Sequence, residues 1–502
     1  MASDSKTEND TIRKNNEEFW VLDECFKTER VAQALILGVT VHLASSKFMK
    51  TSADTALFTG ASTMVAAFLV GSYVNYRARS RDNGINGNEL KHVREFLPSF
   101  NVLYLLYLPF MLSMLFQRRL APINCALAFN AIDMPFVLRW MLEAILVLIN
   151  DEFYHEMSRN LKAIVLNGCL SYVLQGVGHL KSFDIVECNL FSMLLTNVLY
   201  LINSDELHFQ VLQKTLIAFL ASVSVNCVWS LILPKRFRWL RSIVLLASFA
   251  AVFPFTIIQT LTIDGQNPAV WLVDYISSSE SRTKILGFWL LCLLILIPNI
   301  MVFKSNMSLN TSRKVWHFIV MALIIGPLQI DPQFVKIATS GTVVLFLIVE
   351  YIRYLKLVPA GEYLDEKLRS FADFRDERGP IIISYIYLIV GVATPLLING
   401  SLVGVVSLGV GDSLASIVGH KWGRIKWPGT NKTVEGTCAF IIATAACNLI
   451  LQSQIGEFPD IGVANVILTA VLSGILEGNS VLNDNILIPA FMLITTEVCK
   501  GI

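Results

Sequence analysis

The chain has 502 residues, of which 54% are hydrophobic and only 16% charged, with a net charge of +1 and a mean hydropathy of +0.57. Soluble domains carry roughly 25% charged residues, so a water-soluble globular protein is excluded. An all-α polytopic membrane protein is expected, because apolar runs of helix-spanning length recur along almost the whole chain. So small a net charge identifies no partner; the bilayer is the expected setting, and no nucleic acid is expected.

Residues 1–30 are polar and mixed in charge, without the basic start and apolar core of a cleavable signal, so the first spanning helix is expected to serve as the targeting signal. The hydrophobic pattern predicts spans at 31–48, 55–75, 97–116, 134–150, 161–179, 184–203, 211–233, 240–262 and 285–304. Seven more follow at 315–330, 334–353, 380–398, 402–419, 435–453, 462–478 and 485–500, about 15 to 16 transmembrane helices in all. Segment 121–132 reads as a re-entrant or half-helix piece, and Glu187 and Asn189 weaken 184–203 as a span. The nine cysteines form no C-x-x-C pair and lie mostly in apolar runs, which suits membrane-buried thiols better than a disulfide framework or a zinc site.

The last seven spans can be oriented from their loops. Residues 304–314 carry Lys304, Arg313 and Lys314; loop 354–379 carries Lys356, Lys367, Arg369, Arg375 and Arg378; loop 420–434 carries Lys421, Arg424, Lys426 and Lys432. The intervening turns at 331–333, 399–401 and 454–461 contain no Lys or Arg. Short loops rich in Lys and Arg stay cytoplasmic, so the basic loops and 479–484 are expected on that face. In the N-terminal half, the basic loop 76–96, Arg118–Arg119 and the run Lys235–Arg241 do not fit one parity of helices, which leaves the side of the N-terminus open.

Ionisable residues rare in membrane segments collect at this same face: His317, Glu350, Arg353, Asp412, Glu435, Glu477 and Asp484. A charge near the bilayer centre costs roughly 2.5–3.5 kcal/mol even on lenient insertion scales. Asp412 lies about eight residues inside its loop boundary, roughly 12 Å at helical rise. Gly404, Gly409 and Gly411 would permit a broken helix lining a cavity, and the group could converge on a shallow pocket. Lysines and arginines on a tight loop can clamp a polyphosphate, and Pro428-Gly429 marks the turn. The plain alternative is that this charge only holds the loop in the cytoplasm, but two flanking acids exceed what a topology signal needs. Asp412 and Asp484 are the metal candidates, since magnesium is held by one or two carboxylates plus phosphates and water. Glu435 opens a helix, where a carboxylate favours the dipole; Glu477 ends one, where it does not. Glu350 and Arg353, three apart, could simply pair with each other. No Walker A pattern occurs, which disfavours a soluble nucleotide fold.

The segments RKVWHF (313–318), VEYIR (349–353), GVGDSLASIVGHKWGRIKWPGTNKTVEGT (409–437) and LEGNSVLNDNILIP (476–489) resemble the dolichol kinase family, the CTP-dependent polyprenol kinases related to phytol and diacylglycerol kinases. The resemblance covers about the last 190 residues and is most distinctive in WPGT-x-KT-x-EG, and the long multi-spanning N-terminal half is also like this family. It implies an endoplasmic reticulum protein that moves the γ-phosphate of CTP to the terminal hydroxyl of dolichol, for glycosylation pathways. It further implies a CTP-binding stretch made of His420, Lys421, Trp422, Gly423, Arg424, Ile425, Lys426, Trp427, Pro428, Gly429, Thr430, Asn431, Lys432, Thr433, Val434 and Glu435.

The residues and the resemblance together suggest one scheme. Lys421, Arg424, Lys426 and Lys432 hold the triphosphate, with Arg313, Lys314 and His317 at the mouth of the neighbouring span. Asp412 and Asp484 hold a divalent cation, expected to be Mg2+, and one of Glu350, Glu435, Glu477 or Asp484 accepts the hydroxyl proton. The chain then divides into a polar tail (1–30), a multi-spanning region (31–304) and a catalytic region (305–502). Two rivals remain. A CTP-dependent cytidylyltransferase would carry an HGG-x-x-DR-x-D run, which is absent. A lipid transporter would carry polar residues at both membrane faces, whereas the opposite ends of the last seven spans hold few.

Overall fold

The computed structural model describes residues 28–48, 101–131, 137–139, 141–143, 157–178, 185–234, 236–263, 265–303, 309–369, 380–480 and 482–501. Among these residues there is no β-strand, only the isolated bridges Ile263 with Gln266 and Lys426 with Thr433. Helicity follows from the apolar sequence, because only a helix satisfies every backbone group within one spanning segment. The N-terminal helices are α1 (Thr28–Phe48), α2 (Asn101–Phe116), α3 (Ala121–Ala128), α4 (Met157–Gly178), α5 (Ile185–Thr196), α6 (Leu207–Ile232), α7 (Arg238–Thr260), α8 (Pro268–Ser277) and α9 (Glu280–Phe303). The C-terminal ones are α10 (Leu309–Ile330), α11 (Pro332–Tyr354), α12 (Ala360–Arg369), α13 (Ser384–Asn399), α14 (Val403–Val406), α15 (Ser413–Trp422), α16 (Val434–Ile455), α17 (Val463–Asn479) and α18 (Asp484–Cys499).

Seven helices among the described residues are long and apolar enough to cross a membrane: Val31–Phe48, Leu207–Ile232, Arg238–Thr260, Arg313–Ile330, Pro332–Tyr354, Val403–Trp422 and Val434–Ile455. Shorter apolar helices cover Tyr104–Phe116, Val186–Leu201, Ser384–Asn399 and Val463–Asn479. The expected span 55–75, the basic loop 76–96 and most of the polar tail lie outside the described residues, as does most of 134–150. The half-helix expected near 121–132 is the eight-residue α3, whose residues are all buried. Glu187 does not interrupt α5, because its carboxylate accepts a 2.7 Å bond from Tyr387 Oη on α13. Sequence reading missed α8, too short and polar-flanked for a span, and α12, which lies in a loop.

Long-range side-chain contacts order the helix ends into two sets. At one end Gln33 donates to the Asn479 carbonyl at 2.5 Å and Tyr104 Oη donates to Gln33 Oε1 at 2.9 Å. Arg238 pairs there with Glu362 at 2.5 Å. At the other end Lys47 Nζ reaches the Lys500 carbonyl at 3.2 Å, and Arg282 meets Asp331 at 2.8 Å. The start of α1 therefore shares an end with the Glu477–Asp484 turn, which the sequence left open. Arg118 lies over the Phe48 ring, 5.3 Å from its centroid, at the opposite end. Arg118 and Arg238 thus stand at opposite ends, so these two basic groups do not share one face.

Close backbone approach binds the C-terminal helices. A Cβ at Gly391 would lie 2.0 Å from the Asn485 carbonyl, and one at Gly404 would lie 2.6 Å from the Gly391 carbonyl. Small residues at helix contacts are how membrane bundles gain packing without a hydrophobic drive. The expected break at Gly409–Gly411 is instead a π-helical turn, Ser407–Asp412, between α14 and α15. The chain stays helical because the extra residue is absorbed in a wider turn, a device often found at functional sites.

Candidate active site

The π-turn ends on Asp412, which it presents, buried, to α10. Lys314 Nζ donates to the Asp412 carboxylate. His317 Nδ1 lies 3.2 Å from Asp412 Oδ2 and 3.2 Å from the Leu408 carbonyl, two acceptors, so Nδ1 carries the ring proton. On the opposite side Glu477 lies in the last turn of α17 and α18 begins with Asp484. Lys432 Nζ bridges them, 2.6 Å from Glu477 and 3.2 Å from Asp484. Asp412, Glu477 and Asp484 each offer a carboxylate oxygen within 4.8 Å of the others.

This arrangement has a definite charge logic. Three carboxylates so close repel one another, and buried ions persist only when paired and hydrogen-bonded. Two ammonium groups against three carboxylates leave the cluster with a net charge of −1 while His317 is uncharged. Burial opposes the charge on Lys432, but Glu477 and Asp484 outweigh it and hold the ammonium well above the ordinary lysine value. An oxygen-only set of carboxylates with spare negative charge suits a hard divalent cation such as magnesium. The residues present therefore fit such a group. Glu477 joins Asp412 and Asp484 as a donor, a role the sequence alone did not give it.

The 420–435 stretch is a short hairpin. His420, Lys421 and Trp422 close α15, with Lys421 Nζ 4.9 Å from the Trp422 ring centroid. Trp427 N donates to the Lys432 carbonyl at 3.0 Å, and Val434 N donates to the Ile425 carbonyl at 2.8 Å. Gly429 turns the tip at φ +78°, open to glycine without strain. Thr433 caps α16 by accepting from Gly436 N at 3.2 Å. Arg424 and Lys426 are exposed, and Lys432 alone of the loop cations reaches the carboxylates in this structure.

Two residues that sequence reading did not single out, Thr437 and Gly478, dock this hairpin. Trp427 Nε1 donates to Thr437 Oγ1 at 2.9 Å, and Thr430 Oγ1 donates to the Gly478 carbonyl at 3.3 Å. A Cβ at Gly478 would lie 2.5 Å from Trp427 Nε1. The glycine beside Glu477 was the available signal: it lets the indole lie against α17 and so aims Lys432 inward.

Two proton-acceptor candidates are not brought into the cluster. Glu350 accepts from Arg353 Nε at 2.7 Å, from Ile382 N at 2.9 Å and from the Tyr385 hydroxyl. Arg353, fully buried, also pairs with Asp365 at 2.5 Å. Glu350 thus belongs to a saturated network tying α11, α12 and the start of α13. Glu435 accepts from Arg424 N at 2.9 Å and Ile425 N at 3.2 Å, which fixes the root of the hairpin. Arg313 sits one residue before Lys314 at the start of the same span.

Comparison with known proteins identifies the family of the chain. A family model described as the dolichol kinase N-terminal domain matches residues 1–203, and one described as dolichol kinase matches residues 161–397. The chain is 44% identical to a dolichol kinase of Saccharomyces cerevisiae over 418 residues, 81% of this chain and 79% of the relative. It is 36% identical to one of Schizosaccharomyces pombe over 254 residues, 45% of this chain and 50% of the relative. With the human dolichol kinase it shares 32% identity over 255 residues, 46% and 47% of the two chains. No solved structure matches. The chain belongs to the dolichol kinase family.

Proposed function

We propose that this chain is a CTP-dependent dolichol kinase, moving the γ-phosphate of CTP to the terminal hydroxyl of dolichol at the cytoplasmic face of the endoplasmic reticulum membrane. The observation that carries this reading is the convergence of Asp412, Glu477 and Asp484 with Lys314 and Lys432 at one end of the bundle. Phosphoryl transfer needs positioning and charge stabilisation more than covalent chemistry, and this cluster is built for that. Family membership supports a kinase acting on a lipid alcohol; the choice of CTP rests on the likeness of the 409–437 block.

Asp412, Glu477 and Asp484 would hold the divalent cation, whose bound charge neutralises phosphate oxygens. Lys432, on the returning arm of the hairpin, stabilises negative charge on the transferred group, and Arg424 and Lys426 guide the rest of the nucleotide. The first turns of α16 and α18 add backbone N–H groups and the positive ends of two helix dipoles. Asp484, 31% exposed against 7% for Glu477, is the carboxylate an entering hydroxyl reaches and the proton acceptor. The isoprenoid tail stays in the bilayer, so only the alcohol end has to rise to the rim.

The test is a kinase assay on purified protein with CTP against ATP, and dolichol against phytol and diacylglycerol. Phosphorylated dolichol formed with CTP, and at least tenfold less product from the other pairings, is the expected result. Equal use of ATP, or preference for another alcohol, overturns the substrate assignment.

A further inference from the structure

The place a cation would take among the three carboxylates is already served by lysine. Lys432 Nζ stands 2.6 Å from Glu477 Oε1 and 3.2 Å from Asp484 Oδ2, while Lys314 Nζ and His317 Nδ1 occupy Asp412. Magnesium binds carboxylate oxygen at about 2.0–2.1 Å. If it took Glu477 Oε1 while the lysine kept its bond, the two cations would stand less than about 5 Å apart beside a carboxylate that is only 7% exposed. Neither charge is well screened there. The two occupants are therefore competitors.

We infer that Lys432 is a placeholder that couples metal binding to nucleotide binding. Without nucleotide, its ammonium neutralises Glu477 and Asp484 and opposes entry of a divalent cation. A triphosphate offers that ammonium a better-matched anionic partner, because charge-assisted bonds to phosphate oxygens are strong. Once Lys432 turns to phosphate, the carboxylates regain their full negative charge and the metal enters. The hairpin makes this exchange possible: Lys432 lies on its returning arm close to the tip, held by the Trp427 backbone bond and the Thr430–Gly478 contact, with a long flexible side chain that can swing without moving α17 or α18. This coupling rests on the proposed nucleotide and metal site, and linkage requires it to be reciprocal: the metal tightens the nucleotide by the factor by which the nucleotide tightens the metal.

The experiment uses the full chain in detergent or nanodiscs, without lipid acceptor, with Mn2+ binding read by electron paramagnetic resonance in the presence and absence of CTP. The unaltered protein is expected to bind Mn2+ at least tenfold more tightly with CTP than without. Lys432→Met is expected to bind Mn2+ at least tenfold more tightly than the parent in the absence of CTP, with little further gain when CTP is added. Lys426→Met, which removes an exposed lysine of the same hairpin, is expected to change nucleotide-free Mn2+ binding less than threefold. Equal Mn2+ affinity with and without CTP in the unaltered protein overturns the coupling while leaving the site intact, and needs no variant to fold. Tighter Mn2+ binding by Lys426→Met equal to that of Lys432→Met also overturns it, since general charge would then explain the effect. Failure of the unaltered protein to bind either Mn2+ or CTP under any condition overturns both the coupling and the site beneath it.

Discussion

Replacing Asp412 by Asn removes one negative charge while preserving shape, and its effects separate the catalytic from the structural role of the cluster. Asp412 is buried and bonded by Lys314 and His317. Breaking a buried ion pair from one side costs about 3–5 kcal/mol. Because the Asn amide keeps one acceptor oxygen for Lys314, the loss should fall near the lower end, about 3 kcal/mol. Loss of a charge aimed at the transferring group should lower turnover by about 10²–10³-fold. The second variant is Asp412→Asn with Lys314→Met. Removing both partners of a buried pair is close to neutral, so its stability should return to within about 1 kcal/mol of the parent while turnover stays low. Denaturant resistance in detergent gives the stability arm, and transfer of labelled γ-phosphate to dolichol gives the catalytic arm. Turnover of Asp412→Asn within about threefold of the parent would refute the metal role, and stability losses that simply add in the double variant would refute the pairing.

Arg353→Met should destabilise the chain by about 3–5 kcal/mol, because it strands Glu350 and Asp365 at a buried site; yield and denaturation midpoint check this, and a soundly folded but inactive variant would return Glu350 to the catalytic set. Gly391→Ala should cost about 1–3 kcal/mol by forcing α13 from the Asn485 carbonyl, whereas Gly326→Ala, with nothing within 4 Å of its Cβ, should be tolerated; equal effects in a thermal assay would contradict the close packing. Glu435→Ala should raise KM for CTP more than it lowers kcat, since Glu435 ties down the hairpin through Arg424 N and Ile425 N; a fall in kcat at unchanged KM would make it a participant in the chemistry.

Much of the fold was legible because the membrane enforces a simple code: apolar runs became helices, and alternating basic loops ordered the last seven spans. The convergence of Asp412, Glu477 and Asp484 was readable for the same reason, as each is a carboxylate with no topological purpose. Partner identity was not readable. Nothing near Glu350 in sequence foretells Tyr385 or Ile382, and both consume its lone pairs. Lys314 could be read only as lying at the mouth of its span, because its partner, Asp412, lies 98 positions away. Likewise the end to which α1 belongs rests on the Gln33 contact with Asn479, 446 positions distant, which no loop charge encodes. Periodicity reports burial and faces; pairing across helices depends on packing that appears only once the bundle is assembled.

The most direct measurement uses purified protein, dolichol and CTP labelled separately on the base and on the γ-phosphate. Label in the lipid from the γ-phosphate alone, abolished by Asp412→Asn, is the predicted result. Base label in the lipid, or γ-phosphate transfer unaffected by loss of the Asp412 charge, would contradict the assignment of this cluster as a phosphoryl-transfer centre.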